Sequence, residues 1–319
     1  MDIPDIVTRY EGNPILTPAD IPGANSVFNS AVAKYRGKYM AILRVEMKDG
    51  LTHMFLAESA DGVKFRVLRE VLVPEEEPWL TYEGAWYDPR ITQIGDTYYV
   101  AYCIENDWGV QCSLARTKDF QSFEKVSLLT EPNNRNVVLF PEKMGGRFVR
   151  LDRPNRSALE GGVSSGDEIW FSSSDDLVRW KPEHAVMAGR WHYWDERIGS
   201  GPPPVKTRQG WLHLYHGIAT HFAAASIYQV GAVLLDLKEP WRVLARSWNN
   251  ILEPRETYEM VGQVPNVVFP GGMIVERMDA DGFAAPDSPV HVYYGAADTC
   301  VGLATTTIKD LLDACDGPA

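Results

Sequence analysis

Cysteine is scarce in this sequence, long apolar runs are missing, and positive charge is in deficit. Only four cysteines occur in 319 residues (Cys103, Cys112, Cys300, Cys315), none in a CxxC spacing. Cys103 and Cys112 can meet across a hairpin, but the four read most simply as reduced, buried thiols in a cytoplasmic protein. No apolar stretch approaches the ~20 residues needed to span a bilayer. The opening MDIPDIVTRYEGNP has neither the basic nor the apolar region of a secretory signal, which again leads us to expect a cytoplasmic location. Lys and Arg number 31 against 43 Asp and Glu, a net charge of -12. That balance speaks against a nucleic-acid or anionic-membrane surface, although it leaves room for a small basic pocket. No His/Asp cluster has metal-ligand spacing, so we expect no metal.

Helical periodicity is equally scarce; IKDLLDACD (308–316) is a short exception. What the chain has instead is a succession of short strand-like runs punctuated by Gly, Pro, Asp and Asn, the pattern of an all-β fold. The runs repeat. One recurring element places small or polar residues before an Asp and a hydrophobic: ESADGVKF, RTKDFQSF, SSSDDLVRW, LLDLKEPWRV and TTTIKDLL. Its aspartates, Asp61, Asp119, Asp176, Asp236 and Asp310, lie 58, 57, 60 and 74 residues apart, the last gap lengthened by MDADGFAAPDSP (278–289). A second element opens each unit with a strand and a Gly-turn hairpin, beginning near residues 27, 85, 137, 203 and 266. Five units of about four strands each predict a five-bladed β-propeller, with a β-sandwich as the alternative. The whole chain, 1–319, is expected to be one domain whose N-terminal segment closes the ring with the last blade.

In a propeller the first strand of each blade lines the central channel, so residues at the unit starts converge there. The second unit reads AWYDPRITQIGDTYYVAY, a hairpin about Gly95-Asp96. Ahead of it, Asp88-Pro89-Arg90 sets an acid and a base either side of a proline with fixed φ. The other starts bring Asn29 and Arg44, then Lys143, Arg150, Asp152 and Arg153, then His216, and finally Asp298.

The motifs FNSAV with AILRVE, DPRIT, ARTKDF, VLFPEK with LDRP, GPPPVKTRQGWLHLYHG and YYGAAD, in that order, together resemble glycoside hydrolase family 130, the β-mannoside phosphorylases and related enzymes. The resemblance runs from about residue 11 to 312 and implies the same five-bladed propeller. It implies that Asp88 is the one catalytic acid, working through the mannosyl 3-hydroxyl, and that Arg90 steadies it or the sugar. Lys143, Arg150 and Arg153, with Arg135 just upstream, are expected to bind inorganic phosphate, and His216 to assist them. Asp298 is expected to accept hydrogen bonds from the mannosyl hydroxyls in a subsite shared with Asn29 and Arg44. Trp86, Tyr87, Tyr193 and Phe222 are candidates to stack on sugar faces. The chain departs from the family pattern in having Tyr87 before DPR and Asp152 in LDRP. Family members often form homo-oligomers.

Three readings follow. An inverting β-mannoside phosphorylase needs phosphate as co-substrate and no cofactor, because an anionic nucleophile wants cations rather than a second carboxylate. An inverting β-mannosidase would lack the phosphate-binding cations. A carbohydrate-binding propeller without catalysis would have lost the acid. The cations and Asp88 favour the first. The acceptor (glucose, N-acetylglucosamine or mannose) and the linkage, β-1,4 or β-1,2, stay open at this level.

Overall fold

The computed structural model describes residues 6–73, 85–106, 108–155, 166–220 and 226–318. Their strands form five antiparallel sheets around a common axis, a five-bladed β-propeller. Blade 1 comprises Ala24–Tyr35, Lys38–Met47, Thr52–Ser59 and Arg66–Glu70; blade 2, Ala85–Ile94, Thr97–Asn106, Gly109–Thr117 and Glu124–Leu128. Blade 3 comprises Asn134–Leu139, Phe148–Pro154, Glu168–Ser174 and Lys181–Ala188. Blade 4 has Arg197–Ser200 innermost, continued by Val205–Thr207, then Gly210–Ala219, Ile227–Leu235 and Val243–Arg246. Blade 5 has Val268–Val275, Pro289–Ala296 and Cys300–Thr307, with Thr8–Arg9 as its outer strand.

The repeated aspartates are turn formers. Asp61 Oδ1 accepts from the N–H groups of Val63 and Lys64, and Asp119, Asp176 and Asp236 repeat that arrangement. A short side chain that satisfies two backbone donors turns the chain between the third and fourth strands of a blade. Asp310 departs from the pattern: it lies in the helix Ile308–Asp313, whose N-cap Thr307 accepts from the Asp310 N–H. Between blades the core is apolar and aromatic, as where Phe140 meets Trp211 edge-on at 5.2 Å. Cys103 and Cys112 do face each other across blade 2, as free thiols with sulfurs 3.7 Å apart.

Closure of the ring depends on one buried carboxylate. Thr8–Arg9 pairs with the strand Cys300–Thr307, and Arg9 Nε and Nη2 donate to Glu259 at 2.8 and 2.9 Å. Glu259 is fully buried and also accepts from Tyr294 Oη at 2.8 Å and from the backbone N–H groups of Arg255 and Glu256. Removing one partner of a buried pair leaves the other charge stranded, at a cost of about 3 kcal/mol or more. Glu259→Gln should therefore lower the urea midpoint sharply while leaving the fold recognisable by circular dichroism. An unchanged midpoint would mean that the terminal strand contributes little to closure.

Candidate active site

Strand breaks shape the centre of the propeller. The innermost strands of blades 1, 2, 3 and 5 each lose register with their neighbour near the axis: between Phe28 and Ala31 (with a second shift between Ala24 and Ser26), Tyr87 and Arg90, Arg135 and Val138, and Pro270 and Gly272. In three of them the break carries an Asx residue with positive φ: Asn29 (45°), Asp88 (52°) and Asn136 (59°). Asn and Asp tolerate this left-handed conformation better than other L-residues. A bulge there turns their side chains out of the pleat and toward the axis. Asp298, also left-handed at 48°, reaches the same place from the turn after Pro289–Ala296. Glycines leave the room: a Cβ on Gly295 would strike Asn29 Oδ1, and one on Gly199 would strike His216 and Asn136.

The result is a cavity of about 340 Å³ at the end of the axis where the innermost strands begin. Asn29, Arg44 and Thr52 line it from blade 1; Tyr87, Asp88 and Glu105 from blade 2; Arg135, Asn136 and Arg153 from blade 3; His216 and Tyr228 from blade 4; and Phe269 and Asp298 from blade 5.

Asp88 is clamped on one oxygen. Asn29 Nδ2 and Arg44 Nη1 donate to its Oδ1 at 2.8 and 3.0 Å, which leaves Oδ2 outside the clamp. Burial works to raise the Asp88 pKa, but Arg44, Arg90 and the Asn29 hydrogen bond outweigh it and hold the group below the usual carboxylate range. Arg44 is itself held by Glu46 at 2.5 Å and packs on the rings of Phe28 and Tyr87. Asp298 behaves in the opposite way. Burial pushes it up to about 7 against the pull of Arg44, with Asp88 and Glu46 adding to the rise. One carboxylate of the cavity is thus ionised at neutral pH and another is poised to hold a proton.

The blade 3 and blade 4 wall is cationic. Arg153 is 1% exposed, and its Nη1 makes only long contacts, 3.4 Å to the Ile198 carbonyl and 3.5 Å to His216 Nε2. Its Nε and Nη2, and the Nε of Arg135, have no hydrogen-bond partner among the described residues. Burial, with repulsion from Arg135, lowers Arg153 to about 9, so it stays cationic at neutral pH. His216 is driven well below its usual range by burial and then by Arg153, Arg90 and Arg135, so it is neutral. Its Nε2 faces two groups that can only donate, Arg153 Nη1 and Asn136 Nδ2 (3.4 Å), so the proton belongs on Nδ1. That Nδ1 is buried and unpartnered among the described residues. Two guanidiniums with spare N–H groups and an amide beside a neutral imidazole give this wall the donors that suit an anion.

The fold brings together Asp88, Asn29, Arg44, Asp298, Arg153 and His216. It does not bring Lys143 or Arg150 into the cavity, and these two expectations are corrected; Arg90 also lies outside the cavity, which does not fit a sugar contact but fits the other part expected of it, support of Asp88. Lys143 is exposed near the hairpin turn at the far end of blade 3, its Nζ 4.0 Å over the Phe148 ring. Arg150 is three residues from Arg153 along one strand, about 10 Å, and alternation points it to the other face of the sheet. There Asp152 neutralises it at 2.8 Å, and it packs over Trp180. Arg90 is spent on backbone: Nε donates to the Gly201 carbonyl at 2.8 Å and Nη1 to that of Pro89 at 2.9 Å, which ties blade 2 to blade 4. It steadies the Asp88 bulge from below and does not face the cavity. Of the four aromatic candidates Tyr87 lines it, beside Tyr228 and Phe269; Trp86 packs on Tyr102, Tyr193 on Trp248, and Phe222 lies outside the described residues.

Sequence reasoning missed Asn136, Tyr228, Glu105 and Thr52, and gave Arg135 a lesser part than Arg150. The signal for the blade 3 pair was the Asn-Arg-Asn run, an Asx at the same register as Asn29 and Asp88.

Comparison with known proteins places this geometry. The family model for glycoside hydrolase family 130, described as beta-1,4-mannooligosaccharide phosphorylase, matches residues 2–317. A β-1,4-mannooligosaccharide phosphorylase of Ruminococcus albus is 37% identical, over 98% of this chain and 91% of its own. A 4-O-β-D-mannosyl-D-glucose phosphorylase of Bacteroides fragilis is 30% identical, over 97% and 85%. Among solved structures, the β-1,2-mannobiose phosphorylase of Listeria innocua in complex with β-1,2-mannobiose superposes with a TM-score of 0.84 at 31% identity, covering 97% of this chain and 99% of that one.

Proposed function

The chain belongs to glycoside hydrolase family 130, and from that premise we propose that it is an inverting β-mannoside phosphorylase. It moves a terminal β-mannosyl unit onto inorganic phosphate, giving α-mannose 1-phosphate and the shortened acceptor. The mannosyl unit sits among Asn29, Arg44, Asp88 and Asp298, and the phosphate among Arg135, Arg153, Asn136 and His216.

One observation carries this reading. The cavity wall contributed by blades 3 and 4 offers Arg135, Asn136, Arg153, His216 and Tyr228, and no carboxylate among the described residues lining it. A hydrolase needs a base there to activate water; a phosphorylase needs cations to position an anion. The same wall explains how an ionised Asp88 becomes an acid. A phosphate seated between Arg135 and Arg153 cancels their positive field and adds negative charge near the carboxylate, and both changes raise the Asp88 pKa. Arrival of the nucleophile and protonation of the acid are thereby coupled. Asp88 delivers the proton to the glycosidic oxygen, directly or through a mannosyl hydroxyl, as phosphate attacks the opposite face. No metal or organic cofactor takes part in any step.

The linkage we favour is β-1,4, after the Ruminococcus albus relative, with a mannooligosaccharide as donor. The test is release of mannose 1-phosphate from a panel of β-mannosides with and without phosphate. Product should form only with phosphate, and fastest from β-1,4-mannooligosaccharides. Free mannose released at one rate regardless of phosphate would move the enzyme to the hydrolases.

A further inference from the structure

An inverting displacement fixes directions as well as partners. The nucleophile enters and the leaving group departs on opposite faces of the anomeric carbon, so the acceptor lies in line with the phosphate and beyond the mannosyl unit. Here the anion site belongs to blades 3 and 4. Neighbouring blades contact each other in the order 1-2-3-4-5 and back to 1, so the wall facing blades 3 and 4 across the axis is blade 1. Both hydrogen bonds that hold Asp88 come from blade 1, from Asn29 and Arg44, so the acid is anchored to that blade.

Beyond Arg44, blade 1 and the segment beside it form a lip that the chemistry so far leaves unused. Thr52 lines the cavity directly opposite Glu46 in the strand register, and Leu51, 54% exposed, stands just before it at the turn. From the side of blade 5, Gln263 donates from Nε2 to Glu46 Oε2, and its backbone N–H bonds Thr299 Oγ1 at 2.8 Å. Val264 beside it also lines the cavity. A hydroxyl, an amide and a carboxylate beside two exposed aliphatic side chains suit a pyranose, whose hydroxyls need hydrogen-bond partners and whose C–H faces need apolar contact.

We infer that this lip holds the acceptor sugar, the hexopyranose on the reducing side of the scissile bond, with Thr52 and Gln263 as its specificity-determining residues. The inference rests on the phosphorylase reading and deepens it. The competing placement is across the ring, where Trp108, 72% exposed, stands at the tip of the blade 2 hairpin three residues after the cavity-lining Glu105. That hairpin packs toward Asn133, beside the anion wall, which is the side from which phosphate enters.

The full-length enzyme, run in the synthetic direction with mannose 1-phosphate and glucose, N-acetylglucosamine, mannose or β-1,4-mannobiose as acceptor, separates the two placements. Thr52→Val and Gln263→Ala should each raise the acceptor KM about tenfold, the usual yield of one lost sugar hydrogen bond. They should also reorder the acceptors and leave the KM for mannose 1-phosphate within about twofold. Trp108→Ala should leave the acceptor KM unchanged. If Trp108→Ala raises it while the blade 1 variants do not, or if those variants move the mannose 1-phosphate KM instead, the assignment is overturned. Wild-type enzyme that makes no disaccharide from mannose 1-phosphate would overturn the phosphorylase reading itself, and this assignment with it.

Discussion

Asp88→Asn is expected to lower kcat for an unactivated β-mannoside by at least ~10²-fold, the lower range for loss of a general acid. The amide keeps the shape of the carboxylate. Its oxygen can still accept from Asn29 Nδ2 and Arg44 Nη1, the two bonds that now hold Asp88 Oδ1. The bulge should persist as well, because Asn adopts positive φ at least as readily as Asp, and Asn29 and Asn136 do so at the equivalent breaks of blades 1 and 3. What disappears is the proton. The loss should therefore appear in kcat, with little change in mannoside KM. A leaving group that departs without protonation, such as 2,4-dinitrophenolate, should recover most of the rate. Full activity of the variant on β-1,4-mannobiose would rule Asp88 out, and attention would pass to Asp298, the cavity carboxylate with the raised pKa.

The architecture was legible because its signals are local. An Asp that satisfies two backbone N–H groups makes the same turn wherever it falls, so Asp61, Asp119, Asp176 and Asp236 marked the blades at nearly even spacing. Asp88 stood out for a related reason, as a carboxylate before proline at the mouth of a hairpin, and its part as the acid is what the family resemblance implies. The proposed anion site was not legible, because its members depend on which way a side chain points. Arg150 and Arg153 look equivalent in the sequence. One residue of strand alternation separates Arg150 and its neutralising Asp152 from Arg153 with its unpartnered nitrogens. Arg135 was given a lesser part, as lying just upstream, because the third unit was started at residue 137, whereas the strand begins at Asn134. Only pairing with the second strand, Arg135 opposite Arg153, shows that the two guanidiniums share a wall.

That pairing sets the second large effect. Arg153→Ala should reduce kcat/KM for phosphate by ten- to a hundredfold, because a charge-assisted contact to an anion contributes about 1.5–3 kcal/mol. Arg135→Ala should do the same. The KM for the mannoside should change much less, since the sugar is held on blades 1, 2 and 5. Arg153→Lys should also be harmful: an ammonium cannot offer the planar fork, and its shorter donor set leaves His216 Nε2 and the Ile198 carbonyl contending for one group. Arg153 sits in a buried, like-charged neighbourhood, so the free Ala variant should be no less stable than wild type, and phosphate should raise its thermal midpoint less. Lys143→Ala is the control, because its ammonium is exposed at the far end of the blade and should leave phosphate KM unchanged. Arg150→Ala should instead destabilise the fold by stranding buried Asp152. Should Lys143→Ala or Arg150→Ala raise phosphate KM while Arg153→Ala leaves it alone, the anion site would have to lie elsewhere, and the unpartnered nitrogens of Arg135 and Arg153 would need another ligand.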